Sequence, residues 1–155
     1  MNKDTLIMTT IRKLLETKEN RTVHSVASTD SVYHALEVMA EFNVGAVLVM
    51  EDEKYVGIFT ERDYARKVIL KGRESHGTPV RDIMTSEMVT VNPDATVEQC
   101  ASIMLKRKVR HLPVVENDRM VGMVSIRTIA LQMIANRDNT IKELENYIMG
   151  TGYGR

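Results

Sequence analysis

Lys54-Tyr-Val-Gly-Ile-Phe-Thr-Glu-Arg-Asp-Tyr-Ala65 returns 65 residues later as Arg119-Met-Val-Gly-Met-Val-Ser-Ile-Arg-Thr-Ile-Ala130. The match extends outward without a gap and lays residues 26–65 on residues 91–130. Ten of those 40 pairs are identical, among them Val26/Val91, Met39/Met104, Val49/Val114, Gly57/Gly122 and Arg62/Arg127. Conservative pairs such as Val38/Ile103, Thr60/Ser125 and Lys54/Arg119 fill much of the rest. The chain is a duplication, and its fold is to be read as one unit written twice.

Each copy carries the same pattern. A short strand is predicted first (residues 23–26 or 89–91). Val32, Ala35, Leu36 and Met39 in one copy, and Val97, Cys100, Ala101 and Met104 in the other, make the stripe of a half-buried helix. An apolar run follows (residues 46–50 or 112–115), then four polar residues and another apolar run (55–60 or 120–125), which together read as a hairpin. A closing helix is predicted over 61–70 and 126–136. The order is β-α-β-β-α, twice, in an α+β fold. Outside the copies, residues 5–18 predict an N-terminal helix. Thr140 and Glu143 have capping-box spacing and predict a separate short helix through Met149, before a glycine-bearing tail at 150–155. The divisions are therefore 1–20, a first repeat at 21–70, a linker at 71–88, a second repeat at 89–136, and a C-terminal helix and tail at 137–155.

Composition bounds the function. Of 155 residues, 21 are basic and 21 acidic, so no net field draws the chain to nucleic acid or to anionic lipid. No apolar run approaches the length of a membrane span and the N-terminus lacks a signal-peptide pattern, so the expected compartment is the cytoplasm. The one cysteine, Cys100, sits on the apolar helix stripe and reads as core. His24, His34, His76 and His111 have no metal spacing with one another or with Cys100. No phosphate-binding loop, nucleophile elbow or dinucleotide glycine fingerprint occurs, so the expectation is a protein that is not an enzyme and needs no catalytic cofactor.

Gly57-Ile-Phe-Thr-Glu-Arg-Asp63 resembles the Gly-apolar-apolar-Thr-x-x-Asp pattern that ends a CBS repeat. Arg110-His-Leu-Pro-Val114 is similar to the entry of the middle strand of such repeats, and Pro79-Val-Arg-Asp-Ile-Met-Thr85 to the stretch that often separates two copies. The resemblance covers roughly residues 20–136 and extends to small stand-alone bacterial CBS-pair proteins. It implies a Bateman module: two repeats about a pseudo-twofold axis, two related clefts between them, a homodimer, and a regulatory adenine nucleotide (AMP or an NAD-like dinucleotide first, with NADH, ATP and S-adenosyl compounds in the same class). A downstream protein, unknown from the sequence, would receive the signal.

A nucleotide site needs a ribose acceptor, a slot for the base and cations or amides for phosphate. Asp63 offers a carboxylate for both ribose hydroxyls. Thr60 adds a hydroxyl at a helix start and Arg62 a guanidinium fork. Gly45 and Ala46 leave room for a flat base, and the resemblance places Val91 against it. The same residues have plainer roles: Asp63 as a first-turn charge complementing the helix dipole, Thr60 as an N-cap. The second copy keeps Ser125 and Arg127 but has Thr128 where the first has Asp63, so its site is expected to be weak or tuned to another ligand. Lys106, Arg107 and Lys108 read as a solvated helix end. Arg110, His111, Leu112 and Pro113 follow that end, and the resemblance turns Arg110 and His111 toward phosphate. Val68, Ile69, Leu131 and Ile134 are the candidate dimer face. The alternative function is a structural dimerisation module without a ligand; an NAD-using enzyme is a third reading that lacks an identifiable acid or base.

Overall fold

The computed structural model describes residues 8–152. In chain order the elements are α1 (Ile11–Leu14), α2 (Lys18–Arg21), β1 (Ser25–Ala27), α3 (Val32–Phe42), β2 (Ala46–Glu51), β3 (Lys54–Thr60) and α4 (Glu61–Asp63). A π-helical stretch over Tyr64–Ile69 continues α4, and a 3-10 turn covers Val80–Asp82. Then come α5 (Val97–Arg107), β4 (His111–Glu116), β5 (Arg119–Ser125) and α6 (Ile126–Gly152). The chain divides into two compact units: Thr22–Met88, and the described residues up to Arg21 together with those from Val89 onward.

In the first unit β1 pairs parallel with β2, and β2 antiparallel with β3, Val49 standing opposite both Val26 and Gly57. In the second unit β4 pairs antiparallel with β5, Val114 opposite Gly122. Backbone detail repeats at the 65-residue offset. Register shifts fall at Val49/Met50 and at Val114/Val115. Both hairpins turn through two left-handed residues, Asp52 and Glu53 (φ 49° and 64°) and Asn117 and Asp118 (φ 52° and 63°), the dihedrals of a type I′ turn. Asn43 and Lys108 end α3 and α5 in the left-handed region at φ 52° and 55°. α+β architecture in tandem repeats is thus carried down to single dihedrals.

Several boundaries differ from expectation, each for a local reason. The predicted helix over 5–18 is, from residue 8 on, two short helices; residues 5–7 lie outside the described ones. Thr10 is spent on a bridge to Thr96, and the Ile11 and Arg12 amides donate to the carbonyls of Ala95 and Pro93, both at 2.8 Å. Asn20 Nδ2 and Thr17 Oγ1 then donate to the Leu14 carbonyl at 3.0 and 3.1 Å. The first strand of the second copy shrinks to a single parallel bridge, Val91 to Val114, because Pro93 has no N–H with which to extend a ladder. The closing helix after Thr60 slips into π geometry, Leu70 N–H reaching back five residues to Ala65 O at 3.1 Å. The two predicted C-terminal helices are one, α6. Thr140 does not cap a new helix; its hydroxyl donates to the Asn136 carbonyl at 2.9 Å, as a mid-helix threonine does. That helix continues to Gly152 through part of the predicted tail, whose residues 153–155 lie outside the described ones.

The two compact units take in residues from outside the predicted repeats. Ile11 and Leu14 are buried in the second unit with Val97, Cys100, Met104, Leu112 and Val124. Val80 and Ile83, in the predicted linker, are buried in the first with Val32, Met39, Val49, Phe59 and Val68. Each unit is completed by a segment outside its predicted repeat. Arg12 pins the N-terminal segment from the surface through ion pairs to Glu116 and Asp94. Those two carboxylates hold the guanidinium pKa above its ordinary value, and Arg12 in turn holds Glu116 below its own.

Candidate functional site

The chemistry gathers at the junction between β3 and α4. Thr60 is an N-cap with extended dihedrals, and its hydroxyl oxygen accepts from the Asp63 amide at 3.1 Å. Asp63 answers: its Oδ2 accepts from the Thr60 amide at 3.0 Å and from the Thr60 hydroxyl at 3.1 Å. This reciprocal box fixes the carboxylate through backbone groups. Its other oxygen, Oδ1, receives Lys67 Nζ at 3.0 Å and Thr85 Oγ1 at 3.4 Å. Asp63 is 8% exposed, the one buried carboxylate among the described residues. The Glu61 amide donates to Gly45 O at 3.1 Å, and Ala46 stands opposite Thr60 in the sheet. Gly45, Ala46, Thr60 and Asp63 therefore lie together, with Arg62 exposed on the same turn.

Two partners of Asp63 were absent from the sequence reading. Lys67 lies four residues on, a spacing that puts an ammonium over a carboxylate on any helix, so its signal was present. Thr85 comes 22 residues later and is delivered by the Ile58–Thr85 bridge, which no local pattern announces. Lys67 Nζ also donates to the Ile83 carbonyl at 3.1 Å. Beside it, Lys67, Lys71, Arg73, Asp82 and Ile83 line an open recess of about 460 Å3.

The second repeat builds the same junction with different chemistry. Thr128 N–H donates to Ser125 Oγ at 3.3 Å, and the two hydroxyls lie 3.3 Å apart. The Ile126 amide donates to Arg110 O at 2.8 Å, the counterpart of Glu61 to Gly45. No carboxylate stands here, and Gln132 occupies the position of Lys67, its amide donating to Asn136 at 2.9 Å. Arg110 and Arg127 are exposed and His111 half-buried. Leu112 is fully buried and Val91 nearly so, so these side chains serve the core of the second unit. Val91 also gives its backbone to Pro113 and Val115.

Burial, reinforced by Arg110, lowers the His111 pKa from its ordinary 6.5. The imidazole therefore favours its neutral form at pH 7. Because the unfolded chain binds this proton more readily, stability is full above about pH 6.5 and falls as the pH drops below it. His111→Gln is expected to flatten that acid-side slope in melts taken between about pH 5 and 7; an unchanged slope would show that His111 does not carry it. Burial also pushes the Cys100 thiol up to about 11, so it stays a protonated core group. Among the described residues no cluster of His, Cys, Asp and Glu is placed to hold a metal ion, and no helix is long and apolar enough to cross a membrane.

Comparison with known proteins agrees with this geometry. The chain is 40% identical over 129 residues to the CBS domain-containing protein CBSX3, mitochondrial, of Arabidopsis thaliana; the match covers 80% of this chain and 62% of that protein, under two thirds of its length. It is 32% identical over 114 residues to the CBS domain-containing protein YhcV of Bacillus subtilis, covering 74% and 81%. A solved protein with CBS domains from Burkholderia ambifaria superposes with a TM-score of 0.79 at 40% identity, covering 82% of this chain and 95% of that one. The CBS-domain containing protein ATU1752 from Agrobacterium tumefaciens gives a TM-score of 0.74 at 32% identity, covering 79% and 98%. The family model described as CBS domain matches twice, at residues 9–70 and 80–135, and the chain belongs to that family as a tandem pair of CBS domains.

Proposed function

We propose that this chain is a regulatory module that binds an adenine nucleotide, AMP or an NAD-like dinucleotide, at the Thr60–Asp63 turn of its first repeat. One observation carries the reading. The second repeat makes the same strand-to-helix junction with Ser125 and Thr128, so the fold does not require the carboxylate or its lysine. The junction forms with either set of residues, so Asp63 and Lys67 are free to serve chemistry in the first repeat. A carboxylate there suits a ribose diol, the small residues Gly45 and Ala46 lie beside it, and Arg62 is an exposed cation on the same turn for phosphate. Regulation follows only if the nucleotide binds two states of the protein unequally. Mass spectrometry of small molecules released from the purified protein, then calorimetry with AMP, NAD and ATP, tests the reading. Absence of binding to the parent at millimolar nucleotide overturns it.

A second reading, a dimerisation module without a ligand, is favoured by the occupied state of Asp63, whose oxygens already accept four bonds from the chain itself. Dimerisation belongs to both readings. Ile69, Leu131 and Ile134 are 55%, 51% and 56% exposed, as a dimer face requires. Val68 does not belong to that face: it is fully buried in the first unit's core. Light scattering at micromolar concentration is expected to give twice the monomer mass, and Ile69→Glu with Ile134→Glu to halve it. A parent that scatters as a monomer would remove the dimer.

A further inference from the structure

We infer that Lys67 competes with the ligand for Asp63, so that a nucleotide binding there must break a tie holding residues 83–85 to the first repeat. The inference rests on the ligand reading above. A carboxylate accepts about four hydrogen bonds, and four are already made. The two on Oδ2 come from the amide and hydroxyl of one capping residue and are fixed by the backbone. The two on Oδ1 are of another kind. One comes from a flexible, half-exposed lysine at 3.0 Å, the other from Thr85 at a long 3.4 Å. A vicinal diol seeking Asp63 can take only Oδ1, and Lys67 must yield it.

Yielding has a consequence elsewhere. The same ammonium donates to Ile83 O at 3.1 Å and to Thr85 Oγ1 at 3.4 Å. Thr85 is tied to β3 by reciprocal backbone bonds with Ile58, at 2.8 and 3.0 Å. Lys67 therefore sits at one node between the carboxylate and the segment that leaves the first unit. The second repeat supports the pairing: where Asp63 is replaced by Thr128, Lys67 is replaced by Gln132. An acid and its lysine are present together or absent together.

The test uses the full chain, with adenosine and AMP as probes and Lys67→Met and Lys67→Arg as variants. Methionine keeps the stem and removes the ammonium. Lys67→Met is expected to bind adenosine about tenfold more tightly than the parent, since one charge-assisted bond no longer has to be displaced. Lys67→Arg, which retains the pair, should bind like the parent. Hydrogen exchange reads the tie without a ligand: the Ile58 and Thr85 amides should exchange faster in Lys67→Met, and saturating AMP should speed them in the parent. Parent binding with no gain in Lys67→Met, or no change at those amides, overturns this inference alone. No binding to the parent overturns the ligand reading and this inference together.

Discussion

Gly122→Ala is expected to destabilise the protein by roughly 3 kcal/mol, and by clearly more than Gly57→Ala at the equivalent position. A Cβ at Gly122 would be driven into the Asn20 carbonyl oxygen and would lie 2.5 Å from Leu15 Cδ2. The obstacle is backbone, so α2 must lift off β5. Lifting it draws on the seat of Ile11 and Leu14 in the second unit's core. At Gly57 the nearest atom is Met84 Sδ at 2.6 Å, on a thioether that can swing aside, with Thr85 O at 3.0 Å. Replacing glycine by alanine would on its own restrain the unfolded chain and stabilise by about 0.4–1 kcal/mol where the native backbone tolerates it. The clash must exceed that gain, and at Gly122 it should by several-fold. Denaturant midpoints for both variants decide this. Equal losses would mean that the N-terminal segment does not brace β5.

That brace marks the limit of what the sequence could disclose. The repeat was legible because identical residues at a fixed offset need no knowledge of contacts. Periodicity was enough for the helix stripes, and Val32, Ala35 and Met39 are buried as their spacing requires. The hairpins followed from apolar runs broken by four polar residues. What failed depended on partners distant in sequence. Residues 8–18 have a helical apolar pattern, but Ala95 and Pro93 take the Ile11 and Arg12 amides so that the helix starts only at Ile11, and Thr17 and Asn20 take the Leu14 carbonyl where it ends. Thr140 has the type and spacing of a cap, and only the uninterrupted turn before it shows that it is not one. Val68 looked like spare apolar surface until Val80 and Ile83, from the supposed linker, closed over the same core. At the candidate site Thr60 and Asp63 were legible as a motif. Neither Thr85 nor the degree to which the carboxylate is already occupied could be read without the fold.

The largest expected effect on binding belongs to Asp63, and its occupied state dictates how it must be measured. Asp63→Asn keeps the volume and one acceptor for the Thr60 amide but discharges the pair with Lys67. Stability should fall by about 1–2 kcal/mol through the weakened cap and lost charge-assisted bond, so melting alone does not speak to function. Nucleotide affinity should fall about thirtyfold, roughly 2 kcal/mol, because the amide oxygen stays with Thr60 and an NH2, which cannot accept from a ribose hydroxyl, takes the place of Oδ1. Thr128→Ala separates the two effects. It removes one hydroxyl from the equivalent cap, where Ser125 remains to receive the amide. Its stability should drop by about 1 kcal/mol or less and its nucleotide affinity should stay that of the parent. Thr128→Asp completes the comparison by placing a carboxylate where the Ser125 cap can anchor it. A second binding event in calorimetry is expected from that variant if the two junctions are chemically interchangeable. Equal affinity losses in Asp63→Asn and Thr128→Ala would show that the carboxylate does not hold the ribose. An unchanged affinity in Asp63→Asn, with its melting point lowered, would leave Asp63 with only its capping role.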